Sequence, residues 1–351
     1  MRAVLERCLA DLDKRIDPEQ ERANRKAWFD FLDGRCKAPL FTPPARKPAP
    51  PQTDWPDVHI NDAQEDSDLM LLSQLHSVSN TLAKGNGAAP MVRCNYGTGI
   101  LPSLFGCEMF VMPRETNTLP AVRPHGSDEA MRKLLAAGPP DIRAGLGGKV
   151  FATAERFLET VRRYPKVAEF VELYHPDVQG PIDALEVIWG SEIFLAFYDE
   201  PDLVRGMLDL VTDTYARLMR AWYRLVPPRH GEYSPHWGQW HKGRLMIRED
   251  SLMNLSSETF VEFIRPCDQR LFDEFGGGAM HFCGRGDHYI QAMSEMPGLT
   301  AIAMSQPHLN DMETIFRHTV DKGLVMLSLR RDAAEQALAA GRDLHHRVHC
   351  A

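Results

Sequence analysis

The chain has no excess of basic charge. Across 351 residues, 40 Lys and Arg stand against 48 Asp and Glu, a formal net charge of −8. Broad nucleic-acid binding needs a basic face, and no basic stripe with interleaved aromatics occurs, so no nucleic-acid partner is expected. No run approaches the roughly 18 consecutive apolar residues of a membrane helix, so no membrane partner is expected either. The N-terminus, Met1 to Arg7, carries charge early and has no long apolar stretch. It does not read as a signal peptide, and a soluble, cytoplasmic protein is expected. The seven cysteines are odd in number and widely spread, which is not a disulfide framework. There is no phosphate-binding P-loop, and no Gly-x-Gly-x-x-Gly opens a helix after the first strand, so a dinucleotide fold is not supported.

The chain is rich in apolar periodicity. Its 44% hydrophobic content can bury a large core. Leu5, Leu9, Leu12 and Ile16 recur at helical spacing, and a Pro-rich connector follows from Pro39 to Pro56. Residues 1–85 therefore read as a helical cap and an extended arm. Beyond Ala88, short apolar runs end in polar residues, at 90–94, 170–174, 243–248, 278–280, 299–304, 323–328 and 344–349. Helical patterns at 201–223, 259–275 and 312–319 separate several of them. Alternating strand and helix predicts a parallel sheet. The number of units over residues 86–351 points to an α/β fold of the TIM (β/α)8 barrel type, whose catalytic groups gather at the C-terminal ends of the strands.

One strand end carries His281-Phe282-Cys283-Gly284. Imidazole and thiolate are preferred zinc ligands, and a spacing of two on an extended strand turns both side chains to one face. The bland alternative is a half-buried histidine beside an inert cysteine. Cys350 ends the last strand and, in a closed barrel, could reach the same metal as a third ligand. His345, His346 and His349 are alternative ligands, or simply a polar terminus. Asp177 and Asp250 are acids at strand ends that can orient substrate, act as base or hold a histidine. Glu249 and Asp250 alternate, so at most one faces inward, and Asp250 is the candidate catalytic residue. Tyr96 and Gln179 are further strand-end candidates for substrate contact. The stretch from Ser234 to His241, with His236 and Trp237, suggests a loop forming a pocket wall.

Four ordered stretches carry a family resemblance. They are Gln179-Gly180-Pro181 with Glu186, Trp189-Gly190 and Tyr198 to Leu203; Asp250 to Ser256 with Phe260, Phe263 and Pro266; His281 to Gly284; and Gly298 to Ile302. Together they resemble the uroporphyrinogen decarboxylase superfamily, which includes the corrinoid- and coenzyme M-dependent methyltransferases. The resemblance spans roughly residues 170–305 and implies a TIM barrel. In the methyltransferase branch a His-x-Cys and a distant last-strand cysteine bind zinc, an arrangement His281, Cys283 and Cys350 match. Zinc there holds a thiol substrate as thiolate, which attacks a methyl group carried on a corrinoid. The Arg-rich N-terminal stretch of the decarboxylase branch is absent.

The leading expectation is a zinc-dependent methyl or alkyl transferase that activates a small thiol substrate, with a corrinoid or corrinoid protein as methyl donor. A second is a metal-independent, decarboxylase-like lyase on a carboxylated substrate, using Asp250 and His281 as acid and base. A third is a non-enzymatic barrel that holds a corrinoid or tetrapyrrole.

Overall fold

The computed structural model describes residues 2–350. Two helices, Arg2–Arg15 and Pro18–Leu32, open the chain. Asp17 caps the second by accepting from the backbone N–H groups of Glu19 and Gln20, and proline occupies its first turn. The Pro-rich arm follows, pinned by the buried pair Arg46–Glu21. Helices Ile60–Glu65 and Ser67–Lys84 come next, and Gly85 ends the latter in the left-handed conformation.

The strands, in chain order, are β1 (Met91–Val92), β2 (Glu108–Phe110), β3 (Ala121–Arg123), β4 (Glu172–Leu173), β5 (Tyr233–His236), β6 (Gln239–Lys242), β7 (Leu245–Arg248), β8 (Gly278–Phe282), β9 (Leu299–Met304), β10 (Val325–Leu329) and β11 (Val348–Cys350). A five-stranded parallel sheet runs β11-β10-β9-β8-β7, and β1 pairs in parallel with β4. All seven of these strands fall on the apolar runs expected from the sequence. Pairs β2–β3 and β5–β6 are antiparallel. The β5–β6 hairpin occupies the segment expected to be a loop. Its two-residue turn is Trp237-Gly238, both at positive φ (48° and 78°), the geometry that matches strand twist in a tight hairpin. Among the described residues, no strand pairing joins β4 to β7 or β1 to β11. On the β4–β7 side, Gly180 N–H donates to Arg248 O at 2.8 Å and Met246 N–H to His175 Nε2 at 3.3 Å, while Phe41 of the arm bridges to His349 on the outer side of β11. Among the described residues, no helix is long and apolar enough to cross a membrane.

Strand alternation divides the sheet into two faces. Leu245, Ile247, Met280, Phe282, Ile302, Met326 and Val348 join the main core with helices such as Pro201–Leu225. The opposite face presents Met246, Ala279, Ala301, Ala303, Val325 and Leu327. Three alanines leave this face shallow, and the fully buried Trp240 of β6, with Trp28 and Phe31 of helix Pro18–Leu32, fills the space. The hairpin is thus packed against the inner face, which brings its tip to the C-terminal end of β8.

Behind the end of β7 lies a set of buried acids. Asp183, in the first turn of helix Pro181–Trp189, accepts from Asp250 N–H at 2.8 Å and from Ser251 N–H at 2.7 Å. Burial nevertheless pushes its pKa from 3.8 up to about 7. Glu249 and Asp268 lie against each other, fully buried, and burial raises both. As carboxylates neither could donate to the other, and neither has another hydrogen-bond partner; a proton held between them satisfies both. Gly180 is required here, because a Cβ would collide with the Glu249 carboxyl and the Arg248 carbonyl.

Two outcomes follow. Ala301→Leu forces a larger side chain against the hairpin and is expected to destabilise the protein by about 1–3 kcal/mol, read as a lower Tm; an unchanged Tm would contradict the tight inner-face packing. The acids set a pH dependence. Asp183 holds one proton, and the Glu249–Asp268 pair another, in the folded state at pH values where the unfolded chain has released them. Their contribution is therefore full below the unfolded value and is lost as pH rises through the folded one. Stability is expected to fall as pH rises from about 4 through about 7, the folded value of Asp183 and Asp268, and Glu249→Gln, which removes one partner of the shared proton, to flatten that slope. Parallel slopes in thermal melts of the two proteins would refute it.

Candidate functional site

Three elements converge at the C-terminal ends of β7 and β8. Strand β8 sends Ala279 and His281 to the inner face, and Cys283 follows two residues on. The short helical turn Asp250–Asn254 after β7 brings Asp250 alongside. Asp250 Oδ1 accepts from Cys283 N–H at 2.7 Å and stands 3.5 Å from His281 Nε2. Cys283 Sγ lies 3.5 Å from that same nitrogen and donates to Ser305 Oγ at 3.3 Å, at the end of β9. One ligand atom from each of Asp250, His281 and Cys283 lies within 4.8 Å of the other two.

The donor set fits a small metal ion. Around zinc, with nitrogen or oxygen at about 2.0–2.2 Å and sulfur at about 2.3 Å, tetrahedral neighbours lie roughly 3.3–3.6 Å apart. The His281–Asp250 and His281–Cys283 separations, 3.5 Å each, fall in that range. Burial pushes the His281 imidazole down, against the pull of Asp250, which favours the neutral ring that binds metals. Burial pushes the Cys283 thiol up, opposed by its bond to Ser305, and a cation beside it would reverse that shift. His281 Nδ1 is buried without a partner.

The loop after Cys283 is clamped from β9 and beyond. Gly284 N–H donates to Gln306 Oε1 at 2.6 Å, and Asn310 Oδ1 accepts from Gly286 N–H at 2.7 Å while its amide donates to Gly284 O at 3.0 Å. Trp237, at the hairpin tip, stands edge-on to His281 with centroids 5.0 Å apart, and the Arg248 guanidinium sits 5.5 Å from the Trp237 ring centre.

The remaining sequence candidates divide. Asp177 is held by two guanidiniums, Arg93 at 2.6 Å and Arg248. The pair carries one more positive charge than the acid offsets, and Arg248 Nε and Nη2 are left without partners. Gln179 Oε1 and both ring nitrogens of His236 are likewise buried and unpartnered. His236 packs on His175 and Trp237, at 4.7 and 4.5 Å between centroids. Tyr96 corrects the expectation of substrate contact: it is buried in the main core, its hydroxyl bonded to Thr153 Oγ1 at 2.8 Å. Cys350 corrects the expected ligand set. Alternation turns it with Val348 into the main core, on the face opposite His281, while His349 points inward against Trp28. Its neighbours are Arg331 and Glu335 of the helix Arg331–Ala339. His349 does not replace it: its Nδ1 accepts from Ser328 N–H at 3.1 Å, outside the Asp250 group.

Ser305 and Arg248 were not singled out from the sequence. Ser305 carries a strand-end signal shared by many polar residues, and Arg248 sits in an otherwise apolar run. Asp183 gives only the ordinary signal of an acid in a first helical turn.

No protein-family model matches the chain, and no curated protein matches it. A solved structure does: a methyltransferase from Methanosarcina mazei aligns over 93% of this chain and 92% of its own, with a TM-score of 0.61 and 15% sequence identity. The two chains share a fold.

Proposed function

We propose that this protein is a zinc-dependent methyl or alkyl transferase in which Asp250, His281 and Cys283 hold the metal and a small thiol is the acceptor. The observation that carries this reading is the mutual approach of one oxygen, one nitrogen and one sulfur within 4.8 Å at the strand ends. The methyltransferase identity of the structural neighbour supports it, as does the resemblance to corrinoid-dependent methyltransferases, from which the proposed methyl donor, a corrinoid or corrinoid protein, is taken. In the same reading the two parallel sheets, joined at Gly180 and Arg248, are parts of one TIM-type barrel wall.

Three protein ligands leave a fourth position for the thiol. Zinc bound there would supply the positive charge that keeps the thiol as its nucleophilic thiolate at neutral pH. The chain's own residues do the rest. Cys283 N–H fixes the Asp250 carboxylate in one orientation. Ser305 Oγ orients the Cys283 sulfur. Trp237 covers the His281 ring and narrows its access to water.

A second reading rests on a different observation. The surplus positive charge of Arg93 and Arg248 around Asp177 suits a carboxylated substrate, and the Asp250–His281 contact could serve as base and acid for a metal-independent lyase.

Elemental analysis of the purified protein separates the two. One zinc per chain is expected, absent in His281→Ala and Cys283→Ala and retained in Cys350→Ser. Full activity in a metal-free protein would overturn the transferase reading. The lyase reading requires turnover that survives chelators and collapses in Asp250→Asn. Within the transferase reading, Ser305→Ala removes support from a ligand and is expected to weaken zinc binding by about 10-fold, measured by chelator competition; unaltered affinity would remove Ser305 from the metal's support.

A further inference from the structure

A cavity of about 150 Å³ lies beside β4, and none of Asp250, His281 and Cys283 lines it. Val92, Phe157, Val161, Leu173, Trp222 and Val226 form apolar wall. The cavity is partly open to solvent, so its apolar wall meets water that a ligand entering it would displace. Three polar lining residues satisfy one another: Glu172 accepts from Arg229 Nη2 at 2.5 Å and bonds His230 Nε2 at 2.7 Å. Arg244 also lines the cavity. Among the described residues its guanidinium forms no ion pair, and its Nη1 is buried without a hydrogen-bond partner. Arg244 is half-buried, and the buried end of its guanidinium has no anion to meet it.

One class of ligand would relieve both defects. We propose that this cavity binds a small carboxylate with an apolar body, the carboxylate meeting Arg244 and the body filling the space under Trp222. An apolar void of similar volume accepts a six-carbon guest, so the body has about six carbons. A carboxylate matches the planar fork of arginine. The occupant lies outside the candidate site, linked to it by a chain of ring contacts. Tyr174 and His175 line the cavity and pack on His236 at 4.9 and 4.7 Å, and the next residue, Trp237, covers His281. The site is independent of the metal reading.

Calorimetric titration of the full-length protein with hexanoate and with hexan-1-ol tests this. Hexanoate is expected to bind the wild type, and to bind His281→Ala equally well. Arg244→Gln is expected to weaken hexanoate by about tenfold and to leave hexan-1-ol unaffected. Val226→Trp, checked as folded by circular dichroism, is expected to bind neither. The proposal is overturned if hexanoate does not bind the wild type, if binding disappears in His281→Ala, which would place the ligand at the metal centre, or if Arg244→Gln binds hexanoate as tightly as the wild type.

Discussion

One carboxylate oxygen ties together the ends of two strands. Asp250 Oδ1 accepts a hydrogen bond from Cys283 N–H and faces His281 Nε2, so the turn after β7 and the end of β8 cannot shift independently. Asp183 holds Asp250 from behind through two backbone N–H groups. Gly284 and Asn310 hold the loop beyond Cys283 from the β9 side. Backbone hydrogen bonds therefore fix the Asp250 carboxylate and the loop beyond Cys283, while Ser305 Oγ orients the Cys283 sulfur and Trp237 packs on the His281 ring, which is the kind of support a metal or substrate centre needs.

The inner face of the sheet explains why Trp237 is near this centre at all. Alanines at 279, 301 and 303 leave a shallow surface that larger residues would fill. The β5–β6 hairpin fills it with Trp240, and its turn then falls above His281. Positive φ at Trp237 is unusual for a bulky residue, and two contacts to the β1 region hold it: Ala89 N–H donates to Gly238 O at 2.7 Å, and Gly238 N–H points at Met91 Sδ. The same segment leaves polar atoms of His236 and Arg248 sealed from water and unpartnered.

Much of the architecture was legible locally. Apolar runs ending in polar residues marked the parallel strands, and a helix over 201–223 was visible from its periodicity because burial on one side needs apolar residues at helical spacing. The hairpin was not legible as strands. Ser234 to Lys242 mixes polar and aromatic residues, and its pairing depends on a turn that contains Trp where Asn or Gly is usual. Tyr96 read as a strand-end polar residue, yet its hydroxyl is used inside the core by Thr153. A hydroxyl has no sequence signature that tells a core partner from a ligand.

The amino-acid sequence by itself determined the strand and helix order and the shared face of His281 and Cys283, because two-residue alternation on a strand is a local geometric rule. It also limited the inward acid to one of Glu249 and Asp250, since neighbours on a strand turn opposite ways. Tertiary structure decided which further groups meet that pair. Asp250 and Ser305 approach because β7, β8 and β9 are adjacent in one sheet, a fact of register between segments far apart in the chain. The same register and alternation turned Cys350 into the core and placed Arg244, an ordinary arginine in sequence, beside an apolar cavity with no anion to meet it.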